Sequence, residues 1–136
     1  MATEDTRPAD SGHVDEGLAR HGHVSYLEIP AVDGQRSALF YEAVFGWQIR
    51  RRDSGEYSFE DGSGNLIGAW VADRVVPREP GLIPYIYVNR IDEVIQRIKA
   101  EGGEIVRVPY AEGNLWVATF RDPAGNLLGI WQAGPR

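Results

Sequence analysis

The sequence of 136 residues contains no cysteine, a single lysine and three histidines, and it has no long apolar run. The absence of cysteine excludes disulfides, thiol nucleophiles and thiolate metal sites together. Because no window approaches 18 consecutive apolar residues, we do not expect a membrane-spanning helix. The formal net charge of −6 repels a phosphate backbone, so nucleic acid is not an expected partner. The acidic start lacks the basic and apolar regions of a secretory signal, which predicts a cytoplasmic location.

One twelve-residue stretch occurs nearly twice. FEDGSGNLIGAW runs from Phe59 to Trp70, and FRDPAGNLLGIW runs from Phe120 to Trp131, at an offset of 61 residues. Seven of the twelve positions are identical, and the offset does not change along the match. A period near 60 residues is too long for a solenoid repeat. The repeat therefore predicts two similar half-domains.

Hydrophobic periodicity predicts the same order of elements in both halves. The first half has a strand over 24–30, a helix that begins after Asp33 and ends at Gly46, and three short strands separated by turn residues. The second half has a strand over 85–88 and then apolar residues at i, i+3, i+4 and i+7 from Ile91, which predict a helix. Three more strands follow, so each half is predicted to be βαβββ.

The composition predicts one domain preceded by a tail. Residues 1–22 hold five acids and few large apolar groups, which predicts a flexible N-terminal tail. At 15.1 kDa and 43% hydrophobic residues, the remainder is large enough for one compact core over 23–136. Within it we predict module one over 23–73, a connector over 74–81 and module two over 82–132.

Two stretches, EIPAVDGQRSALFYEAVFGW and FRDPAGNLLGIWQ, carry a family resemblance. Together with the two βαβββ modules, they resemble the vicinal oxygen chelate (VOC) superfamily, which includes glyoxalase I, bleomycin-resistance proteins and extradiol dioxygenases. The resemblance implies an α+β fold in which eight strands form a partly open cup with the helices outside, and it implies a homodimer. The residues that carry it most strongly are Asp33, Phe40, Tyr41, Phe45, Gly46, Asp122, Pro123, Gly125 and Asn126.

Metal-dependent members of this family hold a divalent ion with side chains on four strands. Carried over to this chain, the ligand positions fall on Tyr26, Gly68, Ile83 (or Pro84 after a one-residue shift) and Gly129. Glycine has no side chain, isoleucine has no lone pair, and neutral tyrosine is a poor ligand. The resemblance therefore predicts that this chain has no metal site and no cofactor.

The histidines are not expected to replace the missing ligands. His23 lies three residues before Tyr26, and an odd step along a strand points to the opposite face. His13 and His21 fall in the predicted tail. We expect all three histidines to be solvated.

Alternation along the strands predicts which side chains face the inside of the cup. Large rings around a concavity favour flat, partly apolar ligands, although such rings also fill the core of a small barrel. The aliphatic residues of opposite parity, Ile67 among them, are expected to pack beneath the helices. Alternation places Tyr26, Glu28, Leu66, Trp70, Tyr85, Tyr87, Leu127 and Trp131 inward. With Tyr57 and Trp116 from neighbouring strands, the predicted ligand-binding residues are Tyr26, Glu28, Tyr57, Trp70, Tyr85, Tyr87, Trp116 and Trp131.

Glu28 is the one carboxylate that alternation places inward. If rings enclose it, it would be desolvated and suited to act as a general acid or base; alternatively, it pairs with an arginine or caps a backbone group. Our leading hypothesis is a metal-independent protein that binds a hydrophobic or aromatic small molecule, in a resistance-type sequestering role or an accessory role in secondary metabolism. The alternative is a metal-free isomerase, lyase or cyclase that uses Glu28. Fold analogy alone suggests a metal-dependent glyoxalase or dioxygenase.

Overall fold

The computed structural model describes residues 16–136, so most of the predicted tail over 1–22 lies outside the described residues. In chain order, the described helices and strands are β1 (Tyr26–Pro30), α1 (Gly34–Phe45), β2 (Gln48–Arg51), β3 (Tyr57–Glu60), β4 (Ile67–Val71), β5 (Tyr85–Tyr87), α2 (Ile91–Ala100), β6 (Glu104–Glu112), β7 (Leu115–Arg121) and β8 (Leu127–Ala133). This order confirms βαβββ in both halves. Neither described helix is long and apolar enough to cross a membrane.

The chain divides into two compact units, module one up to Arg74 and module two over Val75–Arg136. The boundary falls at the start of the predicted connector over 74–81. The strand order is β1-β4-β3-β2 in one sheet and β5-β8-β7-β6 in the other. In each sheet the first and last strands of the module pair in parallel, and the other pairs are antiparallel. The α+β class with two βαβββ modules is therefore confirmed, whereas the single domain and the joint cup stay predictions.

Helix α1 has clear stop and start signals. The carboxylate of Asp33 accepts a hydrogen bond from the backbone N–H of Arg36 at 3.2 Å, which caps the first turn. Gly46 ends the helix with a φ of 73°, a left-handed conformation that glycine adopts without a steric penalty. Between them, Phe40 and Tyr41 are buried where α1 packs on its sheet.

Helix α2 is capped from another element. The side-chain oxygen of Gln132, in β8, accepts the N–H of Ile91 at 2.8 Å, and its amide nitrogen donates to the carbonyl of Pro135 at 2.9 Å. The helix buries Ile91, Val94 and Ile98 against its sheet. Gln132 is itself buried, so this bond satisfies a helix N–H that would otherwise be costly to desolvate.

Each sheet has one face under its helix, here called the helix face, and a second face, called the open face. Residues paired in register point to the same side of a sheet. In module one, Trp70 is paired with Ile29 and contacts Tyr41 of α1 with ring centroids 5.6 Å apart, which marks the helix face. The open face of module one therefore includes Tyr26, Glu28, Ser58, Ile67 and Ala69.

In module two, the buried aliphatic residues mark the helix face. Ile86 is paired with Ile130, and Phe120 with Leu128; Ile130 and Phe120 are fully buried. The residues that alternate with these along each strand point to the open face. It includes Tyr85, Tyr87, Arg107, Tyr110, Val117, Thr119, Gly129 and Trp131.

The two copies of the repeat pair their strands in different registers. Phe59 is opposite Gly68, whereas its counterpart Phe120 is opposite Leu128, one residue earlier in the repeat. A slip of one residue reverses the face of every side chain in a strand. The prediction that Trp70 faces inward is therefore wrong, and so is the prediction that Ile67 packs beneath the helix.

Hydrogen bonds in the two turns account for this difference. In module two, the N–H of Asp122 donates to the carbonyl of Asn126 at 2.9 Å. The Asp122 carboxylate accepts the N–H groups of Ala124, Gly125 and Asn126 and also the side-chain amide of Asn126. These bonds hold Asn126 close to Asp122 and close a short turn.

In module one, the corresponding groups have other partners. The N–H of Asp61 donates to the carbonyl of Leu66 at 3.0 Å, so this turn is one residue longer than the Asp122 turn. The hydroxyl of Ser63 donates to the Asp61 carboxylate at 2.6 Å, a bond that alanine at the equivalent position cannot make. The carbonyl of Asn65 lies 2.5 Å from the Nε2 atom of His23, which acts as the donor. His23 is exposed, as expected, and it also bonds the longer turn.

Candidate functional site

The open face of module two brings together three of the predicted ligand-binding residues. Tyr85 and Tyr87 are 47% and 49% exposed, and Trp131 is half-buried beside them. The rings of Tyr87 and Trp131 meet edge to face, with centroids 4.8 Å apart and an interplanar angle of 79°. This geometry is favourable for aromatic pairs, and it leaves ring surface accessible.

The ring of Tyr85 lies over Gly129, its partner across the strand pair. A Cβ atom at position 129 would overlap the ring atoms of Tyr85. Glycine is therefore required by close approach of a side chain, not by a turn. The absence of a side chain at Gly129 leaves room for the Tyr85 ring.

Two further residues of this face were not predicted from the sequence. Arg107 is opposite Thr119 and Tyr110 is opposite Val117, so both point to the open face. The guanidinium carbon of Arg107 lies 3.5 Å from the centroid of the Tyr110 ring. Register shifts on either side of Arg107 interrupt alternation along β6, so parity could not place these residues.

Tyr26 and Glu28 are two residues apart on β1, so both point to the open face of module one. An Oε atom of Glu28 is 3.1 Å from the Nε atom of Arg74, and the two side chains are 43% and 63% exposed. The predicted alternative in which Glu28 pairs with an arginine is therefore confirmed. Rings do not enclose the carboxylate, so the desolvation expected of a general acid or base is absent.

The other three predicted residues do not lie on an open face. Trp70 is 2% exposed in the core of module one, next to Tyr41, and its indole N–H has no hydrogen-bond partner among residues 16–136. Tyr57 is on the helix face beside the start of α1. Trp116 is paired with the buried Gln132, and the guanidinium of Arg136 lies 4.7 Å from its ring.

Hydrogen bonds between parallel strands identify equivalent positions in the two modules. The N–H of Ile67 donates to the carbonyl of Ser25, and the N–H of Gly129 donates to the carbonyl of Pro84. Tyr26 and Tyr85, which follow the two acceptors, are therefore equivalent. The two donors, Ile67 and Gly129, are equivalent in the same way. By this internal equivalence, the counterparts of Tyr26 and Gly129 are Tyr85 and Ile67, whereas the resemblance points to Ile83 and Gly68. The four equivalent positions within this chain are Tyr26, Ile67, Tyr85 and Gly129.

These four positions do not fit a divalent metal. Such sites need three or four nitrogen or oxygen donors within about 2.0 to 2.2 Å of the ion. Ile67 and Gly129 supply no donor, and the Tyr85 ring occupies the space that a side chain at 129 would need. In the described part of the chain, no three histidine, aspartate or glutamate side chains are grouped to hold a metal.

Comparison with known proteins gives the family directly. The model of the Glyoxalase/Bleomycin resistance protein/Dioxygenase superfamily matches residues 20–130. The protein CFP32 of Mycobacterium bovis is 26% identical over 127 residues, which cover 84% of this chain and 47% of that protein. A glyoxylase-like domain-containing protein of Didymella fabae is 42% identical over 38 residues, covering 28% of this chain and 30% of that protein. This chain thus spans about half the length of CFP32.

Solved structures share the fold at low sequence identity. A glyoxalase/bleomycin resistance protein/dioxygenase family enzyme from Burkholderia phytofirmans has a TM-score of 0.70 at 18% identity, covering 82% of this chain and 99% of that chain. The fosfomycin resistance protein FosX from Mesorhizobium loti has a TM-score of 0.66 at 16% identity, with coverages of 84% and 93%. Lactoylglutathione lyase from Agrobacterium tumefaciens has a TM-score of 0.59 at 19% identity, with coverages of 82% and 93%.

The match to the family model extends over most of the chain and includes both copies of the repeat. The sequence resemblance and the two βαβββ modules agree with it. This chain belongs to the glyoxalase/bleomycin resistance protein/dioxygenase superfamily, the VOC superfamily.

Proposed function

We propose that this chain is a metal-independent member of its superfamily that binds a hydrophobic or aromatic small molecule. Its role would be sequestration of the resistance type or assistance in secondary metabolism. The observation that carries the proposal is the exposed aromatic surface on the open face of module two, formed by Tyr85, Tyr87 and Trp131.

The residues of the site favour binding among the functions that the fold leaves open. Structures with this fold include a fosfomycin resistance protein and a lactoylglutathione lyase, so fold alone does not distinguish binding from catalysis. In this chain the positions equivalent to metal ligands hold tyrosine, isoleucine and glycine. What the open face offers instead is ring area, and stacking on rings contributes about 0.5 to 1.5 kcal/mol per good pair beyond area burial.

An enzymatic role for Glu28 has less support. Its carboxylate is exposed to solvent and paired with Arg74. A general acid or base in this fold would be expected in a dry, enclosed position. We therefore place binding ahead of metal-free isomerase, lyase or cyclase activity.

A thermal-shift screen with planar aromatic compounds, carried out in a chelating buffer, tests the proposal. A compound present at 100 times its dissociation constant stabilises the folded protein by about 2.7 kcal/mol. We expect hits among flat, partly apolar compounds, and we expect Tyr87→Ala to abolish them while Tyr57→Ala does not. A screen in which stabilisation appears only after a divalent metal is added would contradict the proposal.

A homodimer and a cytoplasmic location also stay proposals. Among residues 16–136, the outermost strands are β1 and β2 in one sheet and β5 and β6 in the other, and such edge strands pair readily with a second copy. Light scattering on the purified protein should give twice the mass of 15.1 kDa. A mass that stays at one chain over a wide concentration range would refute the dimer.

A further inference from the structure

The open face of module two presents a positive charge beside its rings. Arg107, Thr119 and Gly129 form one row across three neighbouring strands, because they are paired in register. The ring of Tyr85 covers the Gly129 end of this row. The row thus joins an accessible ring at one end to a guanidinium at the other, with a threonine hydroxyl between them.

The spacing of this row suits one small molecule. Neighbouring strands are about 4.8 Å apart, so positions 107 and 129, two strands apart, are separated by roughly 10 Å. The long arginine side chain shortens the gap that a ligand must span. A ring stacked on Tyr85 can therefore present a substituent to Thr119 and Arg107.

Arg107 is held in place without a carboxylate partner among residues 16–136. Its guanidinium stacks on Tyr110 at 3.5 Å, which orders it while leaving N–H donors free for an acceptor. The acids on the same face lie in other rows: Glu104 is paired with Arg121, and Glu112 with Leu115 at the end of the sheet.

We infer that the ligand of this face is a planar aromatic anion, with Arg107 as the residue that selects for the negative charge. The anion is a carboxylate or another planar oxyanion, because the guanidinium fork matches such groups with two parallel hydrogen bonds. This inference rests on the proposed function and adds a ligand class to it. Ring stacking supplies affinity for any flat compound, and Arg107 supplies the preference for charge.

A pair of probes that differ only in charge tests the inference. We would titrate the full chain with 2-naphthoate and with 2-naphthamide and follow binding by ligand-observed NMR. Naphthoate should bind roughly tenfold more tightly at low ionic strength, since a hydrogen bond to a charged group is about twice as strong as a neutral one. The preference should shrink as salt is added.

Variants assign the preference to one residue. Arg107→Gln should lower the affinity for naphthoate much more than the affinity for naphthamide, so that the two probes bind about equally well. Arg97→Gln removes the same charge from the exposed side of α2 and should change neither value. Conservative replacement by lysine should restore only part of the preference, because an ammonium cannot make the two parallel bonds.

The outcomes separate the inference from the proposed function. If both probes bind equally well, or if Arg107→Gln keeps the preference for naphthoate, the inference fails and aromatic binding stands. If neither probe binds and no other planar compound does, both fail. A preference that vanishes in Arg107→Gln and persists in Arg97→Gln supports both.

Discussion

The aromatic ring of Tyr85 lies on the backbone of Gly129, in the space where a side chain at position 129 would stand. In the internal comparison of the two modules, these residues are equivalent to Tyr26 and Ile67. The resemblance to metal-dependent relatives predicts ligand positions at Tyr26 and Gly129, and the internal equivalence relates Tyr85 and Ile67 to them. Here the same place holds ring surface, which connects the missing metal ligands to the proposed binding of a flat molecule.

The contact between Tyr85 and Gly129 predicts a coupled pair of substitutions. Gly129→Ala should lower the free energy of unfolding by up to about 1 kcal/mol, because the new methyl group forces the half-exposed Tyr85 ring to shift. In a Tyr85→Ala background the same change should cost much less, which gives a coupling energy in a double-mutant cycle. Denaturant unfolding of the four proteins measures it. Gly62→Ala, at a position with open space, is the matched control.

Additive costs in that cycle would show that the Tyr85 ring does not rest on Gly129. Tyr85 would then be free to leave the face, and the ring surface assigned to the ligand would be smaller.

The register difference predicts unequal roles for the two repeated tryptophans. Trp70→Ala should cost about 3 to 5 kcal/mol, because the indole fills the core beside Tyr41 and Phe59. Trp131→Ala should cost about 1 kcal/mol, because its ring is half-exposed on the open face. Chemical denaturation compares them, and the milder Trp70→Phe serves if Trp70→Ala fails to fold. Equal costs would mean that both copies of the repeat share one register.

Much of the fold could be predicted from the sequence, because its signals are local. Asp33 and Gly46 bound α1, and the apolar spacing from Ile91 defines α2. The face of β4 could not be predicted, because it depends on whether the Asp61 turn closes at Leu66 or one residue earlier. That choice is made by side-chain bonds of Ser63 and by His23, 42 residues away from its partner.

The candidate site could likewise be predicted only where alternation along the strands is regular. Regular alternation in β5 and β8 correctly placed Tyr85, Tyr87 and Trp131 on one face. Alternation failed for Arg107 and Tyr110, since the register shifts in β6 are not visible in the sequence. Parity places Glu28 on the same face of its sheet as Tyr26, but the sequence could not show that Arg74 would reach it.

The exposed pair of Glu28 and Arg74 predicts a small effect of its removal. Glu28→Gln should change the free energy of unfolding by less than about 1 kcal/mol, as expected for exposed ion pairs. It should also leave the affinity for an aromatic probe unchanged, with Arg74→Gln as the matched variant. Denaturant unfolding and a binding titration check this. If Glu28→Gln bound a compound normally and yet abolished its conversion to product, the catalytic alternative would replace our proposal.

The most direct test of metal-free aromatic binding uses the indole N–H signals of the tryptophans in a ¹⁵N-labelled sample, assigned with Trp70→Phe and Trp131→Phe. A titration with 2-naphthoate in the presence of a chelator should shift the signal of Trp131, which lies on the open face beside Tyr87, and leave that of the buried Trp70 in place. A Trp131 signal that does not move, or that moves only after a divalent metal is supplied, would contradict the account.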